Sequence, residues 1–190
     1  MRATFFILLC LAQIAVADWS LPEGWEIYSS RAGAYTGGRV TEGSRSGKAS
    51  GILRSQDAGP KEHALLIQKL SAEEFRGYRM ELAGYLKPRD VSGWAGLWVR
   101  VDDVEGKVLE FHNMTDTPVR GDSPWTRYNI AFDVPAEAWE IHFGALLAGK
   151  GEVQVDDLAL QRLGGTRPAT TLKQKIRSLP LHPRNLDFEK

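Results

Sequence analysis

Cysteine is almost missing. The sequence holds one, Cys10, inside an N-terminal apolar stretch. The chain after that stretch therefore has no disulfide, no thiolate metal site and no cysteine nucleophile. An excess of one charge is missing too, since 24 Lys and Arg balance 24 Asp and Glu. That balance gives no reason to expect a general nucleic-acid binder or a binder of anionic membranes. Long helical stripes are absent, and so are a phosphate loop and a Gly-x-Ser-x-Gly turn. The four histidines, His63, His112, His142 and His182, are scattered with no metal-ligand spacing between them.

What is present starts with an export signal. Arg2 supplies a positive start, Thr4 to Val16 an apolar run, and Ala15-Val16-Ala17 a small-x-small cleavage site. The mature chain would begin at Asp18 and be periplasmic or extracellular. The run is short of the ~20 residues of a membrane span, so no integral span is expected after cleavage. Residues 18–163 read as one domain of about 145 residues, enough for a single core. Beyond Gly164-Gly165 the alternation stops, and residues 164–190 read as a tail, flexible or forming a short basic helix.

Between these ends, alternating segments are separated by Gly, Pro, Asp and Ser. Strands are expected at Trp25–Tyr28, Ala49–Ser55, Glu62–Leu70, Tyr78–Leu86, Trp94–Val101, Val108–His112, Trp125–Val134, Glu140–Ala148 and Glu152–Gln161. Arg31 to Lys48 reads as a long loop with a short strand at Tyr35, and Ser71 to Phe75 as one helical turn. About eight to ten strands and almost no helix make the fold class all-β, an antiparallel two-sheet β-sandwich. An immunoglobulin-like sandwich lacks its Cys…Trp…Cys hallmark here, so a jelly roll is the better fit.

The stretch Trp94-Ala-Gly-Leu-Trp-Val-Arg100 stands out. Ala95, Leu97, Val99 and Val101 form one apolar side; Trp94, Gly96, Trp98 and Arg100 form the other. If strands 78–86, 94–101, 127–134 and 140–148 share a sheet, one surface gathers Glu81, Tyr85, Trp94, Trp98, Arg100, Arg127, Asn129 and His142. Aromatic faces stack on the C–H patches of sugars, and the polar groups bond hydroxyls. Gly96 and Gly144 would let a ligand approach the backbone. The bland alternative is a covered face in which Arg100 pairs with Glu81. The loop 112–122 adds Asn113 and Asp116 as a rim, against simple turn chemistry. For glycosidase chemistry, Glu81, Glu110, Asp116 and Asp122 are available carboxylates. Nothing in the sequence sets the about 5–5.5 or 6.5–9.5 Å separation such a pair needs.

The closing Gly151-Glu-Val-Gln-Val-Asp-Asp-Leu158 and the opening Leu21-Pro-Glu-Gly-Trp25 resemble the last and first strands of galactose-binding-like jelly rolls, which include many carbohydrate-binding modules. The middle, Trp94 to Arg100 with Asn113-Met-Thr-Asp-Thr-Pro118 and Trp125, is similar to bacterial β-sandwich domains, some appended to regulators or secreted enzymes. The resemblance implies the fold and, by analogy, a glycan or small polar ligand. It also makes Asp156-Asp157 a candidate for a structural calcium, although two adjacent Asp supply few of the about six to eight oxygens required. The expectation is a non-catalytic binding module for carbohydrate, with no cofactor otherwise. A structural or protein-interaction domain of the envelope, with a protein partner, is the alternative, and a weak glycoside hydrolase the second.

Overall fold

Alternation, not helical periodicity, governs this chain, and the computed structural model has twelve strands and no helix among its described residues, 17–18, 20–165 and 179–189. The strands are β1 (Ala17–Asp18), β2 (Trp25–Ser29), β3 (Tyr35–Val40), β4 (Ser50–Ser55), β5 (His63–Ser71), β6 (Tyr78–Arg89), β7 (Val91–Asp102), β8 (Val108–Asn113), β9 (Val119–Gly121), β10 (Thr126–Asp133), β11 (Glu140–Ala148) and β12 (Glu152–Gly165). Apart from Ala17, the stretch expected to be an export signal lies outside the described residues, as do residues 166–178 of the tail. No helix among the described residues is long and apolar enough to cross a membrane.

Two antiparallel sheets face each other. The first runs β1-β3-β4-β12-β6-β10 and the second β2-β5-β11-β7-β8, with β9 also pairing β7. The inward sides are those that alternation assigns. Met80, Leu82 and Leu86 of β6 and Ile130 and Phe132 of β10 meet Leu97, Val99 and Val101 of β7 and Ile141, Phe143, Ala145 and Leu147 of β11. Each of these side chains larger than alanine contributes ~1.5–3 kcal/mol by leaving water, before the entropy of ordering it is set against that gain.

Three features depart from the sequence reading. The short strand expected at Tyr35 is present but longer, the six-residue β3, whose extent apolar alternation does not show because Gly37 and Gly38 occupy its middle. Ser71 to Phe75 is a turn, in which Ser71 Oγ accepts the Glu73 N–H at 3.2 Å. The third departure decides the site. β6 and β7 are consecutive but belong to different sheets, and the chain crosses between them at Asp90, whose φ is 53°. The Asp122 carboxylate fixes this corner by accepting the Asp90 N–H at 3.0 Å.

The tail does not all lie outside the domain. Residues 179–189 return to the sandwich. Phe188 is fully buried, its ring 4.8 Å from that of Trp25. The Trp25 indole donates to the Asn185 carbonyl at 3.0 Å, and Gln68 exchanges hydrogen bonds with the Arg184 backbone at 2.6 and 2.7 Å. Glu189 caps the turn before β4 by accepting the Lys48 and Ala49 N–H groups. One aromatic in a polar segment is too little sequence signal to reveal this docking.

Candidate functional site

Because β6 and β10 sit in one sheet and β7 and β11 in the other, the residues expected on one surface occupy two. Glu81, Tyr85, Arg127 and Asn129 lie on the outer face of the first sheet; Trp94, Trp98, Arg100 and His142 lie on the outer face of the second. Alternation assigns the outward sets correctly, but it does not give the strand order.

On the first sheet the polar groups satisfy one another. Glu81 accepts from Gln161 at 2.7 Å, Asn129 at 3.0 Å and Arg127 at 3.3 Å. The Arg45 guanidinium lies 3.5 Å from the centre of the Tyr85 ring, and Arg162 lies 4.3 Å from that of Tyr78. Cations seated on aromatic faces and a carboxylate with three donors leave few groups waiting for a ligand.

Asp156 and Asp157 belong to this region. β12 bulges there, with Asp157 at φ 48°. Asp156 is fully buried and accepts the N–H groups of Arg45, Ser46 and Asp157 at 2.9, 3.2 and 2.8 Å. Burial pushes its carboxyl above the ordinary value, against the pull of those donors. Asp157 takes the Ser46 hydroxyl at 2.7 Å and pairs with the Arg45 guanidinium. A calcium ion would have to displace N–H donors and a cation already on these oxygens, so the donor set does not fit it.

The second sheet's outer face is built differently. Directly opposed residues form rows across the strands: Tyr28, Leu65, Leu146 and Gly96; Glu26, Ile67, Gly144, Trp98 and Asn113; Lys69, His142, Arg100 and Phe111. Trp98 is not an open platform. It is 3 % exposed, and its indole N–H donates to the Leu66 carbonyl at 3.2 Å. The ring reaches that carbonyl on β5 past its opposite neighbour Gly144 on β11. A side chain at Gly144 would meet the Leu66 oxygen at 2.0 Å, so glycine is required by the packing and not by a ligand. Likewise Met114 fills the space at Gly96, 2.7 Å from where a Cβ would stand. Trp94 is half-buried against the core.

Two aromatics that the sequence does not single out are open. Tyr28 on β2 is 49 % exposed and Phe111 on β8 is 53 % exposed. They mark opposite edges of this face, four strand spacings across and four residues along the strands, roughly 23 Å apart. Each is legible as an outward residue only once its strand's register against Trp98 and Arg100 is known.

The polar end of the face is charged. Arg100 grips Asp102 with Nε at 2.8 and 2.9 Å and with its terminal nitrogen, not Glu81. That carboxylate holds the guanidinium above its usual pKa. Beside the pair lie Glu140 and His142. Asn113 is occupied in a turn, where its side-chain oxygen accepts from the Thr115 N–H and hydroxyl at 3.2 and 2.8 Å. Asp116 is exposed in the loop beyond. Glu110 contacts His112 at 3.0 Å on the opposite side of β8, so it shares no surface with Glu81, and Asp122 is committed to the corner at Asp90.

No family model matches the chain. A curated relative, the uncharacterized HTH-type transcriptional regulator YbfP of Bacillus subtilis, is 35% identical over 170 residues, covering 88% of this chain and 57% of its own length. The chain thus spans little more than half of that protein. Among solved structures, the enzymatically active domain of bacteriophage CBA120 tailspike protein 4 superposes with a TM-score of 0.59 at 12% identity, over 74% of this chain and 20% of that one. The CBM22-1 xylan-binding domain of Paenibacillus barcinonensis Xyn10C gives 0.52 at 16% identity, over 80% and 95% of the two chains. A CBM22-1-GH10 xylanase fragment from Clostridium thermocellum gives 0.53 at 15%, over 80% and 29%. With its two facing antiparallel sheets, the chain shares the jelly-roll β-sandwich fold of these neighbours.

Proposed function

We propose that the chain is an exported, non-catalytic module that binds an extended glycan across the outer face of the β2-β5-β11-β7-β8 sheet. The observation that carries this reading is the pair of exposed rings, Tyr28 and Phe111, at opposite edges of one sheet face. Their separation of roughly 23 Å suits an oligomer better than a single sugar. The apolar Leu65, Ile67 and Leu146 form the floor between them with half-buried Trp94 beside it, and the Lys69–Glu26 pair, 2.7 Å apart, is the polar group for sugar hydroxyls to meet. Trp98 acts beneath the surface, holding three strands in register.

The fold's presence in a xylan-binding domain supports the ligand class by analogy, and Arg2 to Ala17 support export. The likeness to part of a bacterial regulator favours a second reading, ligand sensing within a larger protein. Both readings need the same surface.

The test is affinity electrophoresis of the protein through gels containing a panel of plant and bacterial polysaccharides. Retardation by at least one polysaccharide, lost in the Tyr28→Ala/Phe111→Ala double variant, is the expected result. Free migration in every gel, or retardation untouched by the double variant, overturns the site.

A further inference from the structure

At one end of the same sheet face, three side chains that commonly ligate metals converge although the sequence scatters them. Asp102 ends β7 and Glu140 opens β11 directly opposite it. His142, two residues on, projects to the same side. Its Nε2 lies 3.4 Å from Glu140 Oε1 and 4.0 Å from Asp102 Oδ2, and one ligand atom from each residue falls within 4.8 Å of the other two. Asp102 is 1 % exposed and Glu140 8 %.

The spacing is informative because 3.4 and 4.0 Å are ion-pair separations, longer than an ordinary N–H···O hydrogen bond. His142 Nε2 is buried and has no hydrogen-bond partner among the described residues, despite two carboxylates facing it. A buried nitrogen without a hydrogen bond costs about 1–3 kcal/mol, so such atoms call for an explanation. Two ligands of one tetrahedral ion, with bonds of about 2.0–2.2 Å, stand roughly 3.3–3.6 Å apart. The His142–Glu140 separation falls in that range. The Asp102 carboxylate is held in place by Arg100, as ligating carboxylates are by outer partners, and its oxygens keep lone pairs beyond those Arg100 uses.

We infer that Asp102, Glu140 and His142 form a binding site for a first-row divalent metal ion, with zinc the best match. One imidazole nitrogen and two carboxylate oxygens suit a borderline ion. Calcium is a poor match, because it takes about six to eight oxygens. Three protein ligands leave a fourth position for water or a ligand hydroxyl. The inference does not depend on glycan binding, since its test uses the metal alone.

The experiment is calorimetric titration of Zn2+ into tag-free, EDTA-treated full-length protein. Expected is one saturable equivalent, weakened at least about 100-fold in His142→Gln and unchanged in the control His112→Gln. No saturable binding, or His142→Gln within about threefold of the parent, overturns the site. Should His142→Gln fail to fold, the parent still decides. In 15N-histidine-labelled protein, one equivalent of Zn2+ should move the His142 Nε2 resonance and leave those of His63, His112 and His182. An unmoved His142 resonance overturns the proposal.

Discussion

The two outer faces of the sandwich are both supplied with aromatic and charged side chains, and they use them in opposite ways. On the first sheet, Glu81 collects three donors and Arg45 and Arg162 lie on tyrosine rings, so charge is matched locally. On the second, Trp98 is withdrawn beneath the surface, Tyr28 and Phe111 stay open, and His142 Nε2 has no hydrogen-bond partner among the described residues. Composition alone does not distinguish a binding face from a self-satisfied one. What distinguishes them is whether each group already has a partner.

The largest expected effect probes Trp98. Replacing it with alanine removes a buried ring and its bond to Leu66, and should cost about 3–5 kcal/mol in urea-induced unfolding. A midpoint close to the parent's would mean the ring is dispensable to the fold and would restore it as a ligand group. Next, Tyr28→Ala and Phe111→Ala should each weaken glycan affinity by about tenfold, or ~1.4 kcal/mol, with little change in thermal midpoint. Equal loss of affinity and stability would instead make these rings part of the packing.

A third expectation concerns a group that belongs to neither face. Tyr35 bonds the carbonyls of Glu62 and Gly149 at 2.7 and 2.9 Å, joining the sheets at one end. Burial pushes its hydroxyl from the usual 10 up to about 12. The unfolded chain therefore ionises first. This contribution is whole below pH 10 and is lost as pH rises through about 12. Chemical denaturation across that window should show the fall in the parent and a smaller one in Tyr35→Phe. The smallest effect is expected on the first face, where Arg127→Ala or Asn129→Ala should change stability by less than about 1 kcal/mol and glycan affinity not at all. A marked loss of affinity there would exchange the roles of the two faces.

Alternation makes most inward residues legible, because a side chain's face follows directly from its place along a strand. Thus Ile130 and Phe132, or Ile141 and Phe143, fall on the apolar side of their strands by spacing alone, and all four are buried. The candidate site is legible only in part. Arg100 and His142 do share a face with Trp94, whereas Glu81, Tyr85, Arg127 and Asn129 do not. Adjacent strands usually pair, and nothing near Asp90 announces that β6 and β7 separate into different sheets. Asn113 resolves to turn chemistry, the ordinary fate of an Asn in a loop.

An all-β sandwich with a defined inner side is readable from the residues alone, because backbone pleating and burial are local and periodic. Which outward residues are neighbours, the return of Phe188 to the core, and the meeting of Asp102, Glu140 and His142 emerge only in the folded chain. Those depend on sheet order and register between segments dozens of residues apart, and such contacts leave no period in the chain that makes them.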